Sequence, residues 1–95
     1  MKLNLDKNLM SLKGEPYPDK LNDVLADILA MSTQGKPAKM ITWAVNLTNN
    51  GEIDIDKSDL RFIAGLVESS SSVINLAKAQ LLDEIEKAEE YPEEK

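Results

Sequence analysis

The chain has 95 residues, 42% of them apolar and 29% charged, with 11 Lys and Arg against 17 Asp and Glu and a net charge of −6. A chain this short holds one hydrophobic core. It contains neither His nor Cys, which excludes a disulfide scaffold, a thiolate nucleophile, the usual zinc and haem ligands and an imidazole proton relay.

In chain order, Leu3 and Leu5 alternate with Lys2, Asn4 and Asp6, the period-two pattern of a short strand. Asp6-Lys7-Asn8 reads as a turn, with Leu9 to Leu12 as a return strand before Gly14. Pro16-Tyr17-Pro18 ends that segment, and Asp19 is a good N-cap. Leu21, Val24, Leu25, Ile28 and Leu29 then follow helical spacing, with Lys20, Asn22, Asp23 and Asp27 on the other face. A helix over about 19–33 is predicted, stopped by Gly35.

Pro37 suits the first position of a second helix, where its missing N–H is not needed. Met40, Ile41, Trp43, Ala44, Val45 and Leu47 cover an arc of roughly 200° on that helix, wider than one core-facing stripe. Asn49-Asn50-Gly51 closes it with residues that tolerate a left-handed backbone. Glu52 to Ile55 alternates again and predicts a strand whose natural partner is Leu3–Leu5. Asp56 or Ser58 caps a third helix with Leu60, Ile63, Ala64 and Val67 inward, and Phe62 and Leu66 widening the stripe. Gly65 lies inside it, which predicts a close helix–helix approach as compensation for the lost propensity. After the serine run at 69–72, a fourth helix starts near Val73 with Ile74, Ala77, Leu81 and Ile85 on one face and Leu76 and Leu82 beside them. The polar sequence past Ile85 predicts fraying near 88.

The fold class that follows is mainly α (α+β): about four short helices with a small two- or three-stranded antiparallel sheet from the N-terminus and residues 52–55. Residues 1–88 are expected to form a single domain, and 89–95 an acidic, disordered tail.

Four patterns bear on chemistry. Asn46-x-Thr48-x-Asn50-Gly51-Glu52-Ile53-Asp54-x-x-Lys57 imitates a calcium loop, yet it places Lys57 where a bidentate Glu is required and carries few charged ligands. A helix-turn-helix reading of 19–47 offers Lys36, Lys39, Thr42 and Asn46, but with a net charge of −6 and Arg61 as the only arginine, direct nucleic-acid binding is not expected. Asp54 and Asp56 share a strand face without a nucleophile or phosphate loop beside them, so no enzyme and no cofactor are expected. The excess acid lies in residues 50–95, which carry −7 against +1 for residues 1–49 and include Asp83, Glu84, Glu86, Glu89 and Glu90; such a surface suits either a solvated face or mimicry of nucleic-acid phosphates in a basic groove.

The clearest surplus is apolar. Stripes wider than one interface point to a protein partner or to self-association, with Trp43 as the anchor and Val45, Phe62, Leu66 and Leu82 around it. No apolar run is long enough to span a membrane and no signal-peptide core is present, so a cytoplasmic protein that does not enter the membrane is expected.

The layout Met1-Lys2-Leu3-Asn4-Leu5, Leu12-Lys13-Gly14, Leu25-Ala26-Asp27-Ile28-Leu29, Gly51 to Leu60 and Asn75 to Leu82 is similar to small acidic proteins encoded in phages and prophages. That resemblance spans most of the chain. It implies an assembly or regulatory accessory role and no particular site residues.

Overall fold

A computed structural model describes residues 1–71 and 73–90. The element order is β1 (Lys2–Asn4), β2 (Asn8–Met10), β3 (Pro16–Lys20), α1 (Leu21–Met31), α2 (Pro37–Asn50), β4 (Glu52–Asp54), α3 (Lys57–Ser69) and α4 (Asn75–Glu90). The fold is α+β, with four helices and two antiparallel two-stranded sheets among the described residues. One core joins them, built on Leu3, Leu5, Leu25, Leu47, Leu60, Ile63 and Leu81, all fully buried. Among the described residues no helix is long and apolar enough to cross a membrane.

β1 pairs with β4 as the alternation predicts, with Leu3 opposite Ile53 and both side chains turned inward. β2 does not return along β1. It pairs with β3, so the expected hairpin of residues 3–12 is replaced by one that uses the proline segment as a strand. The reason lies at residues 5–7, where the backbone carbonyls turn toward α1. The Leu5 carbonyl accepts from the Asn22 N–H at 3.1 Å, and the Lys7 carbonyl from the Leu21 N–H at 2.9 Å. These bonds satisfy N–H groups that open every helix without partners. α1 therefore needs no side-chain cap: it starts at Leu21, not at Asp19, and Asp19 lies in β3. The new hairpin turns at Gly14, whose φ is 84°, with Ser11 Oγ accepting from the N–H groups of Lys13 and Glu15.

α2 opens on Pro37 and closes on Gly51, which sits at φ 76° and donates its N–H to the Leu47 carbonyl at 2.9 Å. The Gly51 carbonyl in turn accepts from the Leu5 N–H at 2.8 Å. A Cβ on this glycine would lie 2.6 Å from Asp6 Cβ, so both conformation and space demand glycine. Asp56 caps α3, its Oδ1 accepting from the Asp59 N–H at 2.8 Å.

Three further expectations are corrected. Asn22 is not on a solvent face: it is 5% exposed, and its Nδ2 donates to the Leu47 carbonyl at 2.7 Å, tying α1 to the end of α2. Gly65 faces open space, with nothing within 4 Å of where a Cβ would stand, so no helix approaches it closely. α4 begins at Asn75 and continues to Glu90, past the boundary expected near 88, because Ala88 is buried and Glu89 faces Arg61 at 2.9 Å. Ile74 thus precedes α4 and is exposed. The remainder of the expected tail, 91–95, lies outside the described residues.

Candidate functional site

The five apolar residues proposed as a partner surface do not share one surface. Trp43 is 7% exposed and belongs to the core, as does Leu66. Trp43 faces inward because its place on α2 lies one helical turn from Met40 and Leu47, both buried. Lys39 stands over its ring at 5.3 Å and holds Asp59 of α3 at 2.7 Å. That contact keeps the Lys39 ammonium protonated to a pH above its ordinary 10.5. Leu82 is half-buried against the core. Phe62 sits with its ring at the Gly35 loop, where a Cβ would meet the ring at 2.9 Å. Val45 is exposed beside Ile41 in a shallow groove of about 290 Å³ between α1 and α2.

The acidic candidates are largely matched by the molecule's own cations. Glu84 holds Lys7 at 3.0 Å and Lys87 at 3.6 Å, Asp83 holds Lys87 at 3.2 Å, and Glu89 faces Arg61. The hydrogen bond from Lys87 to Asp83, helped by Glu84, raises the lysine above its ordinary value. Glu86 and Glu90 make no ion pair among the described residues. The pattern resembling a calcium loop is helical through Asn50, so Asn46, Thr48 and Asn50 are spread around α2. Thr48 Oγ1 donates back to the Ala44 carbonyl at 2.9 Å.

A larger concavity than the α1–α2 groove lies elsewhere. A cleft of about 650 Å³ opens between α1, residues 69–71, 73 and 74 around the α3–α4 connection, and the β2–β3 hairpin. Its base consists of Leu9, Ile28, Leu66 and Ala77, all buried, with Val24 half-buried beside them. Its lips are Met31 and Ile74, which are 79% and 63% exposed. Hydroxyls of Thr33, Ser69, Ser70 and Ser71 and the Gln34 amide edge it, together with Asp19 and Asp27. Among the described residues no Lys or Arg lines it. The arrangement can bury apolar side chains, offer hydroxyl hydrogen bonds and attract a cation.

The hairpin beside the cleft is fastened to α4 by a side chain. Gln80 Oε1 accepts from the Met10 N–H at 2.9 Å, and its Nε2 donates to the Met10 carbonyl at 2.7 Å, as a neighbouring strand would. On β3, Pro16 and Pro18 lack N–H donors. One edge is thus occupied and the other depleted, which disfavours strand addition and leaves the side-chain-lined cleft as the place for recognition.

Sequence periodicity missed Met31 and Ile74. Met31 follows the inward stripe of α1, and Ile74 matches the buried face of α4 in spacing while lying just outside that helix. The available signal was a large apolar residue beside each of two polar segments, Met31 before Ser32-Thr33-Gln34 and Ile74 just after the serine run and Val73. No family model matches the chain, and no curated protein or solved structure matches it.

Proposed function

We propose that this chain is a non-catalytic protein-binding module, an assembly or regulatory accessory of the kind its resemblance to small phage-encoded proteins implies. The observation that carries the reading is the pair Met31 and Ile74, two large apolar side chains left in solvent on opposite elements at the lips of an apolar-based cleft. Isolated exposed apolar residues are ordinary; a pair lining one concavity is the pattern of a contact site.

A partner side chain entering the cleft covers the exposed Met31 and Ile74, at roughly 25 cal/mol per Å² of apolar area removed from water. The alternative, an acidic decoy for a nucleic-acid-binding protein, draws less support, since Asp83, Glu84 and Glu89 already face Lys7, Lys87 and Arg61.

The test is affinity capture from the source cell, with the wild-type chain and the double variant Met31→Asp, Ile74→Asp as baits. Both positions are exposed, so circular dichroism of the variant should match the wild type. A partner retained by the wild type and lost by the variant supports the reading. Equal capture by both baits, or turnover of a substrate at the cleft, overturns it.

A further inference from the structure

The charge around the cleft narrows the chemistry of what enters it. Several surface carboxylates face cations of the same chain, Asp6 with Lys20, Glu52 with Lys2, Asp59 with Lys39 and Glu84 with Lys7, while Glu15, Glu68, Glu86 and Glu90 make no ion pair among the described residues. The charged residues that line the cleft are of one sign. Asp19 and Asp27 are exposed on its lining, neither makes an ion pair among the described residues, and among those residues no Lys or Arg lines it. Asp23, also exposed and unpaired among the described residues, lies one helical turn before Asp27 on α1 and adds to the negative field. The whole chain carries −6, so long-range steering acts in the same direction.

We infer that the cleft takes a basic amphipathic protein segment, with a large apolar side chain seated between Met31 and Ile74 and Lys or Arg side chains over Asp19 and Asp27. This rests on the protein-binding reading and gives it a partner chemistry. A second copy of this chain is the less suitable occupant, because two bodies of −6 repel. An acidic peptide would bring its carboxylates against Asp19 and Asp27. A strand-adding peptide would meet β2 closed by Gln80 and β3 short of donors.

The probe is a short designed helix of Leu and Lys in amphipathic spacing, with two controls in which Gln or Glu replaces every Lys. Each is titrated into the 15N-labelled full chain and followed by NMR. The Lys peptide is expected to move the amides of Val24, Asp27, Met31, Ile74 and Ala77 and to bind more tightly than the Gln peptide, with the Glu peptide weakest. Two exposed charge contacts are each modest, so Asp19→Asn with Asp27→Asn should weaken the Lys peptide by about three- to tenfold. The matched loss of two charges away from the cleft, Glu86→Gln with Glu90→Gln, should change its affinity by less than about twofold.

Equal losses from the two double variants would mean that net charge alone attracts the peptide, and would overturn the inference. Amide shifts away from the cleft would do the same. If the Gln and Lys peptides bind the cleft equally, the cationic requirement fails while the protein-binding reading stands. Failure of the Met31 and Ile74 variant to lose its cellular partner removes that reading separately.

Discussion

Two regions share helix α1 and use it in opposite ways. At its start, Leu21 and Asn22 are buried, and their N–H groups, together with the Asn22 amide, reach the carbonyls of Leu5, Lys7 and Leu47. Gly51 completes this junction by accepting from Leu5 and donating to Leu47. Toward its end, α1 presents Asp27 and Met31 to an open cleft edged by serines, where exposed apolar and acidic groups stand without a covering element. The junction resists change because the backbone groups of Leu5, Leu21, Asn22, Leu47 and Gly51 are tied to one another or to Lys7, and a Cβ at Gly51 has no room. The cleft tolerates change because its outer side chains are solvated in the free protein. Stability should therefore depend on the first region and binding on the second.

The most severe way to break the junction is Leu47→Ala. The side chain is fully buried, and its removal should cost about 3–4 kcal/mol in urea unfolding followed by circular dichroism. Next is Gly51→Ala, which places a side chain at φ 76° and against Asp6; a loss of about 2–3 kcal/mol is expected in the same measurement. Gly65→Ala sharpens the point by reversing the sign. That glycine lies inside α3 with open space around it, so alanine should stabilise by up to about 1 kcal/mol. At the cleft, Met31→Ala should stay within about 0.5 kcal/mol of wild-type stability, while weakening the Leu and Lys peptide in the NMR titration.

The smallest effect concerns Lys39. Its raised pKa means that its ion pair with Asp59 contributes fully below the ordinary 10.5 and is lost as pH rises through the raised value. Lys39→Gln should therefore flatten a shallow decline in stability above about pH 10.5, seen by thermal melting across alkaline buffers.

The helix–sheet inventory was legible in the sequence because it depends on short-range chemistry. Apolar spacing announced α1, Pro37 and Gly51 bounded α2, Asp56 capped α3, and the two alternating segments announced β1 and β4. Strand pairing at β2 was not legible, since Leu9 and Met10 carry no mark that prefers β3 over β1. Burial of Asn22 was equally hidden: a polar side chain becomes interior only where a distant carbonyl, here that of Leu47, comes within hydrogen-bond reach.

The candidate site divides the same way. Residue composition by itself determined that imidazole and thiol chemistry are absent and that the chain is acidic. Only the tertiary structure decided which apolar residues remain outside. Trp43 and Leu66 are consumed by the core, whereas Met31 and Ile74, distant in sequence, meet across one cleft. Local spacing specifies which face of an element is apolar, but not whether another element covers that face, and the choice of cover is made by packing of the whole chain.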